Sequence, residues 1–563
     1  MNGLRYDRIL AGTALALILA IPMGGLLAQD PNKIAPAPTA AAPIEQTAAP
    51  APAPTAAAPV AAAPAEEVAT PALAAEPVAV TEQAVPADPL ASLDPADRAI
   101  AEKMRDLLAA TSDKIFASKK ERAAAEAFYQ SRNFLPLWLD KGVENAHATS
   151  AIARLKHADA DGLEVSDYKT PTFAGLGSDA LAEAELKLTQ AVLTYARHVQ
   201  AGRFAYTRVS RNIELPQVVP EAADILGTIA AASDAGKALD AFSPQHLEYQ
   251  KLKAMLAELR ATSGGKKSEA PRQVETIIAN MERWRWYPRD LGKAHVVVNQ
   301  PDFTLRVMHE GAQVWTTRIV IGKPSMPTPL LTETMKYITV NPTWHVPPSI
   351  VHNEYLPALA QDPTVLDRMG LRVSYSGGSV SIWQPPGPNN ALGRIRFNFP
   401  NRFLVYQHDT PDKYYFAHEV RAYSHGCMRV QDPAKYAEVL LNIARPNEHW
   451  TAERIKRMFG SGEQDLQLQP TPIWVHLTYQ TAFVDNAGKL QTRRDIYNLD
   501  SRTLAAIKSA RGVIEPTPER RREELVASGP TQRKPAPAVR NGTMSQSMVY
   551  PGYARPFPGF FYR

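Results

Sequence analysis

The chain has very little cysteine and no excess of charge on its body. Only one of its 563 residues is cysteine, Cys427, which excludes an intramolecular disulfide and any zinc site built from several cysteines. The formal net charge is +5, but residues 511–563 carry nine Lys or Arg and four Glu, so the rest of the chain is neutral. A nucleic-acid-binding protein usually carries its positive charge on the folded body, so we expect no nucleic acid as a partner.

Two segments lack the pattern of a folded domain. Residues 29–94 are rich in Ala and Pro, which together fill 36 of the 60 positions from 31 to 90. Such a stretch buries too little apolar surface to offset its loss of conformational entropy, so it predicts a disordered tether. Residues 511–563 are basic and end in a group of six aromatic residues. They predict a disordered tail, with binding to a partner or a membrane surface as the alternative.

The first 28 residues have the order of a secretory signal. Arg5 and Arg8 precede an apolar run from Ile9 to Ile21, and a possible cleavage site follows at Ala28. We therefore predict that residues 1–28 are a signal peptide. The alternative is an uncleaved signal anchor, because residues 9–28 are about long enough to span a bilayer. Both interpretations place the body outside the cytoplasmic membrane.

Hydrophobic periodicity divides the body into two regions. Residues 95–262 show helical spacing, as in the apolar stripe from Leu188 to Val199, and residues 271–292 continue as a connecting helix. From residue 293 to 500 the period becomes two, and residues 303–321 have the pattern of a hairpin. The sequence therefore predicts an α+β protein with a helical domain followed by a β-rich domain.

The lone cysteine has neighbours that suit a nucleophile. A free thiol is mostly protonated at neutral pH, so it needs a base or a nearby cation to attack a carbonyl group. His408 lies 19 residues before Cys427 and His425 two residues before it, while Arg429 adds a positive charge. Gly426 would let a carbonyl oxygen approach the Cys427 amide, which could then serve as an oxyanion donor.

Two other interpretations of these residues involve no nucleophilic cysteine. His408, His418, His425 and Cys427 could bind a metal ion, but their spacing matches no common zinc site. Each histidine could also be an ordinary polar residue with a satisfied hydrogen bond.

The segment Ser424-His425-Gly426-Cys427-Met428-Arg429-Val430 resembles the signature of the L,D-transpeptidases, a family of bacterial peptidoglycan enzymes. Further blocks are similar to the large, multidomain Gram-negative branch of that family, and they follow in order from about 120 to 500. They include Phe128-Tyr129, Pro136-Leu137-Trp138, Glu282-Arg283-Trp284, Gly322-Lys323-Pro324, Asn341-Pro342-Thr343-Trp344, His408-Asp409-Thr410-Pro411 and Arg494-Asp495-Ile496-Tyr497.

The resemblance implies a helical scaffold domain at 95–262 and a β-rich catalytic domain at 293–500, with a capping insert at about 349–393. It implies that Cys427 is the nucleophile and His408 the general base. The backbone of Gly426 and Cys427 would form the oxyanion hole. The residues that would shape the site or contact the substrate are Tyr406, Ser424, His425 and Arg429.

The implied reaction joins peptidoglycan stem peptides in the periplasm. Cys427 would attack the diaminopimelyl carbonyl of a donor tetrapeptide stem, release D-Ala and form a thioester. An amine of an acceptor stem would then resolve the thioester and give a 3→3 cross-link. No metal or organic cofactor is implied, carbapenems are expected to acylate Cys427, and a signal anchor would add an association with the inner membrane.

Other uses of the same site are open at this stage. The acyl-enzyme could be hydrolysed, could exchange D-Ala for a free D-amino acid, or could attach an outer-membrane protein to peptidoglycan. A different class of function is a non-catalytic wall-binding scaffold. The branch usually carries a peptidoglycan-binding domain before Glu282, but only about ten residues, 262–272, stand there, so glycan anchoring would fall to another segment.

Overall fold

The computed structural model describes residues 90, 93–110, 115–262, 270–376 and 379–509. The predicted signal segment 1–28, almost all of the tether 29–94 and the tail 511–563 lie outside the described residues. No helix in the described ranges is both long and apolar enough to cross a bilayer. Within the same ranges, no group of three or more His, Cys, Asp or Glu is arranged to hold a metal ion.

Helices dominate the region up to residue 262. The predicted stripe from Leu188 to Val199 is buried in the longest of them, which ends at Gly202. Three short strands also occur in this region: β1 (Leu139–Asp140), β2 (Val143–Glu144) and β3 (Ile213–Glu214). The helices are α1 (Pro95–Ala109), α2 (Lys119–Ser131), α3 (Ala146–Lys156), α4 (Ser178–Ala201), α5 (Ala222–Ala231), α6 (Ala235–Asp240) and α7 (Leu247–Thr262).

A buried carboxylate organises the core of this helical region. Glu185 of α4 is fully buried and accepts hydrogen bonds from the Leu137 and Trp138 amides and from the Tyr129 hydroxyl, which lies 2.8 Å away. Burial raises the pKa of Glu185 to about 7, although these hydrogen bonds act in the opposite direction. Glu185 therefore bonds to both of the blocks noted in the sequence, Phe128-Tyr129 and Pro136-Leu137-Trp138.

This carboxylate should make stability depend on pH. The folded protein keeps a proton on Glu185 that the unfolded chain loses near pH 4.5, its ordinary value. Stability therefore falls as the pH rises from about 4.5 to 7, by about 3 kcal/mol for a shift of this size. We expect urea unfolding to show that decline for the wild type relative to Glu185→Gln, which does not titrate. A difference between the two proteins that is constant from pH 4.5 to 8 would contradict it.

Strands dominate the region after residue 293. The predicted hairpin is confirmed by the antiparallel pair β5 and β6, and the predicted α+β class is confirmed as well. The strands are β4 (Ala294–Asn299), β5 (Thr304–His309), β6 (Ala312–Gly322), β7 (Leu330–Met335), β8 (Tyr337–Val340), β9 (Trp344–His345), β10 (Arg372–Ser376), β11 (Ser379–Gln384), β12 (Ile395–Asn398), β13 (Gln407–His408), β14 (Ala422–Ser424), β15 (Met428–Val430), β16 (Gln464–Gln467), β17 (Ile473–Thr478), β18 (Ala482–Val484) and β19 (Leu490–Thr492).

A sheet of twelve strands carries the centre of this region. Its order is β16-β8-β12-β13-β15-β6-β5-β4-β17-β7-β3, and β14 pairs with β6 beside that path. Strand β3 comes from the helical region and pairs in parallel with β7. The helices that accompany the sheet are α8 (Ala270–Trp284), α9 (Pro348–Ile350), α10 (Leu356–Gln361), α11 (Val365–Arg368), α12 (Pro433–Ala444), α13 (Ala452–Arg457) and α14 (Leu499–Ser509).

Buried charged residues join α8 to the sheet. The guanidinium group of Arg283 is fully buried, donates to the Tyr479 carbonyl at 2.9 Å and pairs with Asp500 at 2.7 Å. Arg285 pairs with Glu282 at 2.6 Å, and both side chains are buried. A buried charge is stable only when it is paired. These pairs therefore explain why charged residues alternate with tryptophan in the Glu282-Arg283-Trp284 block.

The predicted insert forms a small unit of its own. Helices α9, α10 and α11 pack beside a three-stranded sheet with the order β10-β11-β9. Its core is separate from the main core and is formed by Val346, Val351, Leu366, Leu371 and Ile382. A π-helical turn at Val351–Tyr355 connects α9 to α10. This unit lies against the segment that contains Cys427, as the contacts of Glu354 show below.

Candidate active site

Strand pairing brings the predicted nucleophile and the predicted base to one face of the sheet. Strands β13 and β15 are parallel, with His408 opposite Arg429 and Gln407 opposite Met428. The Met428 amide donates to the Tyr406 carbonyl at 3.0 Å, which extends the pairing to Tyr406 and Cys427. Side chains alternate along strands. Gln407 and Met428 are fully buried in the core, so the other members of the two strands share the opposite face.

The thiol of Cys427 is bonded to Tyr406. The Tyr406 hydroxyl and backbone both form hydrogen bonds with the thiol, and the Trp344 side chain bonds in turn to that hydroxyl. Removal of water from around the thiol raises the pKa of Cys427 to about 11, although Tyr406, Arg396 and Arg429 act in the opposite direction. Part of the Cys427 surface is still exposed. The resting thiol is therefore protonated at neutral pH, in a residue that is partly exposed.

His408 is held as a neutral imidazole. Its Nδ1 lies against the Asp409 carbonyl oxygen, which can only accept, so Nδ1 carries the proton and Nε2 keeps a lone pair. Burial lowers the pKa of His408 to about 3, and the nearby Arg429 charge acts in the same direction. The Asp409 carboxylate accepts from the Arg394 amide at 2.8 Å and from the Thr410 amide at 2.7 Å. Asp409, whose carbonyl oxygen orients the imidazole, is thus held in place by its own hydrogen bonds.

His408 occupies the diagonal position relative to Cys427, and Tyr406 lies beside both. The Tyr406 and His408 rings are 5.7 Å apart between centroids. The resemblance implies that Tyr406 shapes the site or contacts the substrate, and the structure adds a hydrogen bond from Tyr406 to the thiol. The role of His408 as the base stays a prediction, for which the shared face is a necessary condition.

The turn before Cys427 is closed by Ser424. The Ser424 hydroxyl donates to the Cys427 carbonyl and accepts from the Gly426 amide at 3.2 Å. Gly426 has φ = +114°, which a side chain would disfavour. The amide of Gly426 therefore bonds to Ser424 in this structure, and its role as an oxyanion donor stays a prediction. Within the described part of the chain, the Cys427 amide has no acceptor, so it is the donor that remains available.

A loop after β6 supports this turn from behind. Thr328 donates to the Gly426 carbonyl at 2.7 Å and accepts from the Gly322 amide at 2.9 Å. Tyr497 donates to the Gly322 carbonyl at 2.6 Å, and the Lys323 amide donates to the Ser424 carbonyl at 2.8 Å. The blocks around residues 322–328 and 494–497 were identified by resemblance alone. Their contacts with the Cys427 turn give them a physical role that sequence spacing could not reveal.

His425 and Arg429 are occupied by other contacts. His425 Nε2 lies 2.7 Å from the Glu354 carboxylate of the insert and 3.2 Å from Lys323 Nζ. Arg429 pairs with Asp412 at 3.0 Å, and its guanidinium lies 5.2 Å from the centre of the Tyr415 ring. The roles of His425 and Arg429 in shaping the site or contacting the substrate stay predictions. In this structure the charge of Arg429 is paired with Asp412.

Comparison with known proteins identifies the two regions. Residues 293–455 match the model of the L,D-transpeptidase catalytic domain, and residues 123–256 match the model of a scaffold domain. Residues 293–455 are thus an L,D-transpeptidase catalytic domain, and residues 123–256 are a scaffold domain. A protein of Haemophilus influenzae named "Putative L,D-transpeptidase" is 24% identical over 404 residues, which cover 66% of this chain and 77% of that protein.

Two solved structures were also found to be similar to this chain. An L,D-transpeptidase from Mycobacterium smegmatis shares 14% identity with a TM-score of 0.17, over 33% of this chain and 59% of that one. The Ldtfm-avibactam carbamoyl enzyme shares 12% identity with a TM-score of 0.17, over 52% of this chain and 100% of that one. The chain thus spans less than two thirds of the mycobacterial structure.

The raised pKa of the Cys427 thiol can be tested by alkylation. Cys427 is the only cysteine, so iodoacetamide reports on it alone. The thiolate reacts, so a pKa of about 11 predicts a rate that rises about tenfold per pH unit from pH 7 to 10. In urea the same thiol should return toward its ordinary value of 9.0, and the profile should bend there. A plateau below pH 8 in the folded protein would indicate a stabilised thiolate instead.

Proposed function

We propose that this protein is a peptidoglycan L,D-transpeptidase that forms 3→3 cross-links between diaminopimelate residues through a thioester on Cys427. The observation that carries the proposal is the shared face of Cys427, Tyr406 and His408, with the partly exposed Cys427 at its centre. The family of the catalytic domain supports the reaction class.

The first half of the reaction forms the thioester. The Cys427 sulfur attacks the diaminopimelyl carbonyl carbon of a donor tetrapeptide while Nε2 of His408 takes the thiol proton. The Tyr406 hydroxyl donates to the sulfur as its negative charge develops, and the Cys427 amide donates to the carbonyl oxygen. The carbon–nitrogen bond to D-Ala then breaks, and the imidazolium returns its proton to the leaving amine.

The second half transfers the acyl group. The side-chain amine of an acceptor diaminopimelate attacks the thioester carbonyl and gives up a proton to His408. The carbon–sulfur bond breaks, a new amide bond forms, and Cys427 leaves with the proton from His408. The neutral state of His408, which its low pKa maintains above about pH 3, makes Nε2 available as the acceptor in both halves.

The proposed location is the periplasm, with substrate peptides as the partners and carbapenems as acylating inhibitors. The signal-like segment 1–28 supports export. The same thioester chemistry would apply to a carbapenem carbonyl at Cys427.

The products separate the proposal from its alternatives. Purified protein is incubated with disaccharide-tetrapeptide, and the products are analysed by mass spectrometry, with Cys427→Ala as the control. A dimer with a 3→3 bond supports cross-linking, whereas free tripeptide alone indicates hydrolysis and a product with an added D-amino acid indicates exchange. A strain without the protein should lose 3→3 dimers. Normal dimers with loss of a wall-bound outer-membrane protein would indicate tethering, and full complementation by Cys427→Ala would indicate a non-catalytic scaffold.

A further inference from the structure

Arg396 lies on the catalytic face, although no motif draws attention to it. It belongs to β12, which pairs antiparallel with β13 so that Arg396 stands directly opposite His408. Directly opposed residues point to the same face of a sheet. The guanidinium lies 5.6 Å from the centre of the Tyr406 ring, and Tyr406 is bonded to the Cys427 thiol. Arg396 is thus a neighbour of the reacting atoms.

The guanidinium of Arg396 lacks a hydrogen-bond partner at Nε, which is buried, among the residues that the structure describes. Among the residues that the structure describes, no carboxylate lies within ion-pair distance of it. The two carboxylates near the site already have partners. Asp409 accepts from two backbone amides and pairs with Lys413, and Asp412 pairs with Arg429. Burying a cation without a carboxylate partner costs free energy. A bound anion would therefore stabilise this site.

We propose that Arg396 binds a carboxylate of the donor stem and so holds the diaminopimelyl carbonyl beside Cys427. This inference rests on the proposed function. The donor has two carboxylates close to the scissile bond, one on the leaving D-Ala and one on the diaminopimelyl side chain. Guanidinium and carboxylate form paired, directional hydrogen bonds. Arg429 cannot play this part, because its own carboxylate partner is Asp412.

The choice between the two carboxylates sets the specificity of the enzyme. Capture of the D-Ala carboxylate would require a free C-terminus and would favour tetrapeptide stems over longer ones that continue beyond residue four. Capture of the side-chain carboxylate would make the enzyme discriminate against amidated diaminopimelate. Both assign Arg396 to substrate binding rather than to proton transfer.

The test removes each charge in turn. Acylation of Cys427 is followed by intact mass at increasing concentrations of three donors: the tetrapeptide, its D-alaninamide form, and the form with an amidated diaminopimelyl side chain. Loss of a charged hydrogen bond should raise the half-saturating donor concentration of the wild type about 10- to 100-fold for one of the two amides. The amide that is affected identifies the bound carboxylate.

Variants then assign the effect to Arg396. For Arg396→Gln, the half-saturating concentration of the unmodified tetrapeptide should already be raised. It should not rise further with the amide that weakens binding to the wild type. Arg396→Lys should bind the tetrapeptide more tightly than Arg396→Gln. Arg445→Gln is the matched control, because Arg445 pairs with Glu448 after α12, outside the site. Wild-type protein that accepts all three donors equally would overturn the proposal, as would a penalty in Arg396→Gln that multiplies with the amide penalty. Absence of any acylation would overturn the proposed function itself.

Discussion

Replacing His408 with glutamine should lower the rate of Cys427 acylation by a tetrapeptide donor about 10²- to 10⁴-fold, the usual contribution of a positioned general base. The thiol has a pKa of about 11 and is protonated at neutral pH, so its proton must be removed as the sulfur attacks. His408 lies on the same face with a free Nε2 lone pair. Glutamine keeps a donor for the Asp409 carbonyl but cannot accept the proton at neutral pH.

The measurement is the single-turnover rate of adduct formation by intact mass. His418→Gln is the matched control, because that histidine is exposed and bonds to the Tyr423 hydroxyl at 2.8 Å. The loss in His408→Gln should shrink as the pH rises toward 10, since hydroxide then replaces the base. Acylation by His408→Gln within about threefold of the wild type would remove His408 from the mechanism.

Gly322→Ala should slow acylation by about 10²-fold or more while leaving a folded protein. A Cβ at Gly322 would lie 2.2 Å from the Met326 carbonyl oxygen and 2.7 Å from the Thr328 amide, so the backbone of this loop must move. Thr328 holds the Gly426 carbonyl, and the displacement therefore reaches the Cys427 turn. A misplacement of about 1 Å in an active site can cost about 10²-fold in rate.

The readout must separate misplacement from unfolding. Overpacking of this kind costs about 1–3 kcal/mol of stability. Gly322→Ala should therefore still unfold cooperatively, with a lower midpoint temperature than the wild type. Iodoacetamide should still react with Cys427, because it needs no oxyanion donor. Gly227→Ala in α5 is the control, since no atom lies within 4 Å of the added Cβ. A wild-type acylation rate in Gly322→Ala would show that the loop does not position the nucleophile.

Local pattern predicts the site only in part. The nucleophile, the upstream histidine and the hairpin β5–β6 come from short segments whose residue types and alternation are visible in the chain. The two-residue strand β3 could not be predicted, because two residues show no alternation and its partner β7 lies more than a hundred residues away. Arg396 was missed for the same reason, and no contact could be assigned to Thr328, since strand pairing and loop packing alone bring them to the site.

The hydrogen bond between Tyr406 and the thiol is a further contact that local sequence pattern could not predict. Spacing shows that residues 406 and 408 share one side of a strand, but only the parallel register of β13 and β15 reveals which of them faces Cys427 directly. A shift of the register by two residues would exchange the two. That register is set by the packing of Gln407 and Met428 in the core, including the 2.8 Å bond from Tyr436 to Gln407.

The central claim is that the Cys427 sulfur takes up the acyl group of a tetrapeptide stem. Rapid acid quenching of purified protein mixed with donor alone, followed by intact mass, tests it most directly. The wild type should gain the mass of the donor minus D-Ala, located on the peptide that contains Cys427, and Cys427→Ala should gain nothing. An unchanged mass in the folded wild type, or a gain that persists in Cys427→Ala, would contradict the account.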